Sequence, residues 1–365
     1  MNHKLRTIHW GLGVVGSEAL RFVLEAPDFE AAAVIDSNPT KVGRDAGELL
    51  GLSRNAGVSV SYDAEATFRQ SPADVVLYAT DSGLATAYPH IVQAIKAGTH
   101  VISNCADLAF PWVHHPDLSK RLDELSREAG VGILGTGVVP GFVTDTFPLF
   151  LTTVCQQVKA VRVTRVVDAA TRPLDYRHKF GFGLSPAGFK KSAADGAIGQ
   201  LGLRESLFMI GDTLGWRLEE IVETIEPVTA KGRVRTAFFS LGKHEVLGLR
   251  QKAEGFVGGR SVICLDLEVS LGARNPRDEI AIDASPPISV TIPGGIEEGA
   301  ATAAVMVNCL STIAHGNGVG LLSMRDMPIA PHRNPQRRLS EDQPQELVTE
   351  PPTPFTERSP RRRTG

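Results

Sequence analysis

Apolar residues make up 42% of the 365 residues, yet no apolar run is long enough to cross a bilayer. The longest, such as Asp74-Val-Val-Leu-Tyr-Ala-Thr80, have the length of a strand. The opening Met1–Thr7 leads straight into a strand-like segment, so no signal peptide is expected. Cysteine is scarce. Cys105, Cys155, Cys264 and Cys309 lie far apart with no Cys-x-x-Cys pair, which argues against a disulfide framework and against a zinc knuckle. Charge of one sign is also missing: 38 Lys and Arg stand against 41 Asp and Glu, a net −3. A nucleic-acid binder would carry a basic excess and a disordered solvating chain an acidic one. These absences predict a soluble, cytoplasmic protein with no nucleic-acid partner, no membrane partner and no metal.

What is present is length and rhythm. The length favours two globular domains. From about Arg333 the chain loses apolar periodicity and becomes rich in Pro, Arg and Glu, ending in Arg361-Arg362-Arg363, so residues 333–365 are expected to be a disordered tail. Before that, strand-like segments at 5–10, 29–36, 58–61, 74–80, 100–103 and 131–135 alternate with helical stretches at 17–26, 88–97 and 118–129. Alternation of this kind predicts an α/β fold, a Rossmann-type doubly wound parallel sheet, over residues 1–145. Past Pro140 the pattern changes to long alternating segments at 160–169, 220–229, 243–254 and 261–271, with helices grouped at 185–199 and 203–214. That grouping predicts an α+β substrate domain over 146–332, whose last helix, 298–315, is placed to pack back on the first domain.

The first strand runs into Gly11-Leu12-Gly13-Val14-Val15-Gly16 and then a helix. In such a loop the first glycine allows the tight turn, the second lets the backbone approach a pyrophosphate, and the third lets helix and strand pack closely. Asp36 follows twenty residues after Gly16, at the end of the second strand, where a carboxylate would bind adenosine ribose hydroxyls and favour NAD. Ser37, Asn38, Lys41 and Arg44 follow at once, and these are groups that a 2′-phosphate would use, so NAD and NADP both remain open. Ligands of doubly wound sheets sit at the carboxyl ends of the strands. Thr80 and Asn104 are therefore expected beside the cofactor, and Asp107 near the reacting carbon.

These residues resemble a known family. Ser37-Asn-Pro-Thr-Lys-Val-Gly-Arg-Asp45, His100-Val-Ile-Ser-Asn-Cys-Ala-Asp-Leu-Ala-Phe-Pro-Trp112, Gly135-Thr-Gly-Val-Val-Pro-Gly-Phe142, Lys179-Phe-Gly-Phe-Gly183 and Gly294-Gly-Ile-Glu-Glu-Gly-Ala-Ala-Thr302 with Asn308 occur in order. The chain is similar to 2,4-diaminopentanoate dehydrogenase and native amine dehydrogenases, with an amino-terminal domain of the dihydrodipicolinate reductase type. The reductase's own signature, a His-His pair with a downstream Lys in a Ser-Gly-Thr context, is absent. The resemblance implies an enzyme that interconverts a small amine and a ketone plus ammonia through an imine, by hydride transfer with NAD or NADP, and a homodimer. It implies a catalytic carboxylate after the fifth strand, where the family's acidic pair is replaced by Ala106-Asp107. Val139 replaces an amide in the loop after the sixth strand, and Asp145 is a site acid or a helix cap. Trp112, Val139 and Phe142, with Phe180 and Phe182, are candidates for an apolar substrate wall, Arg177 and His178 for polar substrate contacts, and Thr302 for a cofactor contact. Two other readings stay open: a reductase of a C=O or C=C bond in another small metabolite, and a cofactor-binding sensor without turnover.

Overall fold

The computed structural model describes residues 4–170, 179–235, 240–316 and 318–328. The predicted tail, Arg177 and His178 lie outside the described residues. The amino-terminal part alternates strands β1 (Leu5–Trp10), β2 (Phe29–Ile35), β3 (Val60–Ser61), β4 (Val75–Tyr78), β5 (His100–Ser103) and β6 (Gly132–Gly135) with helices α1 (Val14–Glu25), α2 (Ala46–Leu49), α3 (Ala64–Gln70), α4 (Leu84–Lys96) and α5 (Pro116–Ala129). All six strands pair in parallel in the order β3-β2-β1-β4-β5-β6. Every residue of Val75-Val-Leu-Tyr78 is buried, because helices cover both faces of the sheet. Local chemistry sets the helix limits: α5 begins with Pro116 in its first turn and ends at Gly130, whose φ of 70° favours glycine.

After α6 (Thr146–Thr152) the architecture changes to α+β. Strand β7 (Gln157–Asp168) is followed by α7 (Pro186–Ala194), α8 (Leu203–Thr213), β8 (Glu220–Thr229), the short ribbon β9 (Val234–Arg235) and β10 (Ser240–Leu241), then β11 (Val246–Val257), β12 (Arg260–Ser270), β13 (Arg277–Ser285) and β14 (Ile288–Pro293). The mixed sheet runs β14-β13-β7-β12-β11-β8, with β7 and β12 parallel and the other pairs antiparallel. Val161, Val163, Ala253, Ile263, Leu265, Ile280 and Ile282 form the inward face against Leu203, Leu207 and Ile210 of α8. The hairpin β13–β14 is a finding beyond the predicted strands. Its acidic residues and central Pro286-Pro287 hide an alternation that places Ile280 and Ile282 inward.

The single helix predicted at 298–315 is two, α9 (Glu298–Asn308) and α10 (Leu310–His315), meeting at Cys309. Ala303, Met306, Val307, Leu310 and Ile313 share one apolar cluster with Ala19, Leu20 and Val23 of α1. A last strand, β15 (Gly320–Leu322), pairs in parallel with β6 and makes the first sheet seven-stranded.

Candidate dinucleotide site

Gly11 has φ +97°, and a Cβ there would lie 2.5 Å from the Ala79 carbonyl oxygen and 2.7 Å from Thr80 Cγ2. A Cβ on Gly16 would lie 1.8 Å from the Gly11 carbonyl oxygen, so the two glycines are demanded by the loop's own packing. Gly13 differs. Nothing lies within 4 Å of its Cβ position, and it is exposed. The open backbone at Gly13, at the amino end of α1, is the cradle that a pyrophosphate fits. Leu12 is buried, Val15 packs on the α1 cluster, and Val14 is 66% exposed, with its Cγ1 3.1 Å from where a Cβ on Gly299 of α9 would lie.

At the end of β2 the carboxylate of Asp36 is surrounded by donors. Its Oδ1 accepts the Asn38 N–H at 2.8 Å, and its Oδ2 accepts the Leu12 N–H at 2.8 Å and the Lys41 ammonium at 2.9 Å. Burial alone would raise its pKa, but the N–H groups of Asn38 and Leu12 and the Lys41 charge bring it below the ordinary carboxylate value. Ser37 and Asn38 are exposed beside it. Thr80 is exposed next to Gly11, and its hydroxyl donates to Asp81 Oδ2 at 2.8 Å. Asp81 also accepts the Tyr78 hydroxyl, which lies 2.8 Å from His90 Nδ1. The Thr80-Asp81 turn beside Gly11 is thus held by hydrogen bonds from Tyr78 and Thr80.

Asn104 and Asp107 follow β5, and Asp107 belongs to a short 3-10 turn, Ala106–Ala109. Asp107 Oδ2 accepts the Leu84 N–H, the first of α4, at 2.9 Å and faces His115 Nε2 at 3.2 Å. Its carboxylate therefore caps α4 as well as pairing with an imidazole. Burial pushes the neighbouring Cys105 thiol up to about 12, so it stays protonated near neutrality. After β6, Val139 is 8% exposed and its carbonyl accepts Gln200 Nε2 at 2.9 Å, while the Val139–Pro140 peptide is cis. Thr302 is buried, with its Oγ1 accepting the Val138 N–H at 3.2 Å, so α9 holds this loop directly. Asp145 is the N-cap of α6 and is fully buried. It accepts from Gly141 N–H at 2.8 Å, the Ser206 hydroxyl at 2.7 Å and Thr146 N–H at 2.5 Å, and burial raises its pKa.

The glycine loop, Asp36, Lys41, Thr80, Asn104, Asp107 and Val139 therefore follow the carboxyl ends of their strands, and Thr302 of α9 bonds the loop after β6. The aromatic candidates divide. Phe142 stacks on Phe147 at 5.6 Å and lines an apolar cavity of about 570 Å³ with Leu149, Val305, Asn308 and Met324. Trp112 meets that region through Arg325, whose guanidinium lies 5.9 Å from its ring. Phe180 and Phe182 are core residues packed with Phe189 and Leu249, so they are not part of a substrate wall. Two features escaped the sequence reading: His115 on Asp107, and His114 Nδ1, 2.5 Å from the buried Glu205 of α8. The adjacent pair His114-His115, directly before a helix, was the available signal.

Two family profiles match the chain. The 2,4-diaminopentanoate dehydrogenase C-terminal domain covers residues 142–338, and the dihydrodipicolinate reductase N-terminus covers residues 7–105. A 2,4-diaminopentanoate dehydrogenase from Acetoanaerobium sticklandii is 28% identical over 89% of this chain and 94% of its own length. An amine dehydrogenase from Streptomyces virginiae is 30% identical over 72% and 74%. The solved structure of an amine dehydrogenase from Mycobacterium smegmatis shares the fold, with a TM-score of 0.80 at 22% identity, covering 92% of this chain and 98% of that one. With an open glycine loop at the end of β1, a buried acid at the end of β2 and these relatives over nearly its whole described length, the chain belongs to the 2,4-diaminopentanoate dehydrogenase family of NAD(P)-dependent oxidoreductases.

Proposed function

We propose that the protein interconverts a small amine and the matching ketone plus ammonia, through an imine. In the oxidative direction a primary amine and water give ketone and ammonium, and two electrons and a proton leave the substrate carbon together. A bound nicotinamide supplies the acceptor or donor of that hydride. The protein's own part is proton handling and exclusion of water. The observation that carries this reading is the pairing of Asp107 with His115 at the carboxyl end of β5, on the same side of the sheet as the glycine loop after β1. A carboxylate there balances the cationic amine and iminium, and the imidazole passes protons during attack of water and release of ammonia. Val139, Phe142 and Trp112 offer apolar surface to the substrate's carbon side, and Arg177 and His178 are proposed as its polar contacts.

Nicotinamide absorbance tests the proposal, with a panel of amines at alkaline pH and of ketones with ammonium. Coenzyme binding without turnover on any of them would overturn it. For the residue, Asp107→Asn keeps an oxygen for the Leu84 N–H but loses the charge. It should cut turnover by about a hundredfold or more with thermal stability unchanged, while Asp107→Ala should also cost about 1 kcal/mol through the lost cap. Equal rates for Asp107→Asn and wild type would reduce Asp107 to a helix cap.

The second use of Asp107, as the acceptor at the start of α4, keeps two alternatives: a coenzyme-binding protein without amine turnover, and a reductase of another C=O or C=C bond. The same assay, extended to ketones without ammonium, separates them. We further propose a cytoplasmic homodimer. Four free cysteines suit a reducing compartment. Helices α6, α7 and α8 pack on one face of the mixed sheet, leaving Thr164, Arg250, Lys252 and Asp266 on the other for a second copy, which light scattering would detect.

A further inference from the structure

Between the Asp107 turn and α5 the chain makes a second turn, in which the His115 N–H donates to the Pro111 carbonyl at 2.9 Å. Its side chains go to different elements. His115 faces Asp107, and its carbonyl accepts the Ser119 N–H and hydroxyl at 2.8 and 2.7 Å. His114, one residue earlier, faces α8: its Nδ1 lies 2.5 Å from Glu205 Oε1, and its ring meets Phe208 edge-on at 5.2 Å. Near the other end of α8, Asp212 pairs with Arg325, whose guanidinium lies 5.1 Å from the Phe110 ring and 5.9 Å from that of Trp112. Glu205, Phe208 and Asp212 are spaced i, i+3 and i+7 along one face of the helix. Helix α8 therefore holds the segment from Phe110 to His114 along its whole length.

Glu205 is the unusual member of that face. Its side chain is 5% exposed, and His114 is its one side-chain hydrogen-bond partner among the described residues. The first turn of α8 offsets part of the cost of burying it through the helix dipole. Stability alone does not call for such a group, because an apolar side chain of similar size in its place is often as stable or more so. What a carboxylate adds is direction: it holds one ring atom at one point, whereas apolar contact lets a turn slide. His114 and His115 share a peptide bond, so the anchor on the first limits where the second can reach. Asp107 has no side-chain partner but His115 among the described residues, at 3.2 Å, so its pairing depends on that reach. We propose that Glu205 is a positioning residue for the Asp107–His115 pair, acting through His114. The proposal rests on the reading of that pair as the proton-handling group of amine and ketone interconversion.

Steady-state kinetics and NMR of the whole, histidine-labelled protein test this together, in the wild type, Glu205→Gln and two apolar variants, Glu205→Met and Glu205→Leu. Glutamine keeps an acceptor for His114 and should hold kcat within about threefold of wild type. Each apolar variant should lower kcat at least about tenfold, with KM for the amine and coenzyme affinity within about threefold. The ring nitrogen signals of His115, assigned with His115→Gln, should move in the apolar variants and stay in place in Glu205→Gln. Unchanged kcat or unmoved His115 signals in a folded apolar variant overturn the proposal, as does a change confined to KM. A loss in Glu205→Gln as large as in the apolar variants also overturns it, since the charge and not the anchor would then matter. Failure of both apolar variants to fold would make Glu205 a structural residue and overturn it too. If the wild type turns over neither amines nor ketones, the functional reading falls, while the His115 signals still decide whether Glu205 positions that imidazole.

Discussion

At Gly13 the backbone runs at φ −73° and ψ −165°, a conformation any residue adopts, and a methyl group added there meets nothing. At Gly16 the same methyl group would overlap the Gly11 carbonyl. The two glycines of one motif are therefore separable by experiment. Gly13→Ala should leave the melting temperature within about 1 °C of wild type and weaken dinucleotide affinity by about tenfold or more, whereas Gly16→Ala should destabilise the fold itself by about 1–3 kcal/mol. Calorimetric unfolding and coenzyme titration read the two effects apart. The motif was legible in the sequence because its chemistry is local, with a strand, a turn and a helix adjacent in the chain. The full engagement of Asp36 was not, since it depends on a backbone N–H at Leu12 and on Lys41 folding back across the turn. The same holds for Asp107, whose partner Leu84 is contributed by a different βα unit.

At the level of elements, the two architectures are stitched by buried polar groups. Arg165 on β7 and Asp278 on β13 form an ion pair with side-chain exposures of 3% and 1%. Arg165 also donates to the Ile296 carbonyl at 2.6 Å, and Asp278 accepts the Ile296 N–H at 2.7 Å. Ile296 directly precedes the N-cap of α9, so this pair fixes where α9 enters. Arg165→Met should cost about 3–5 kcal/mol by leaving Asp278 buried and uncompensated, and the double variant with Asp278→Leu should recover much of it. Urea unfolding measures both; a single variant as stable as wild type would sink the argument. Strands β7, β8, β11 and β12 could be read from alternation. The hairpin of β13 and β14 was obscured by charge, and the split at Cys309 by a continuous apolar pattern that fits one helix as well as two.

For the whole molecule, acid stability turns on a residue in the centre of the first sheet. His9 on β1 is fully buried, its Nδ1 has no hydrogen-bond partner among the described residues, and burial lowers its pKa from 6.5 to about 3. The folded chain therefore takes up this proton only near pH 3, while the unfolded chain takes it up near 6.5. Between those values the unfolded state binds more protons, so the His9 contribution is intact above about 6.5 and declines as pH falls toward about 3. The urea midpoint should drop from about pH 7 to about pH 4, and His9→Leu should flatten that slope; an unchanged slope would place the acid sensitivity elsewhere.

The seventh strand and the α9 layer have a consequence for biosynthesis. Residues 298–322 complete a sheet whose sixth strand ends at Gly135. At ordinary elongation rates about ten to forty seconds separate the two on the ribosome. During that interval β6 is an open edge, and the seat of Met306 and Leu310 on α1 is bare apolar surface. The nascent coenzyme half thus keeps an unpaired edge and an uncovered apolar face until almost the last described residue has been made.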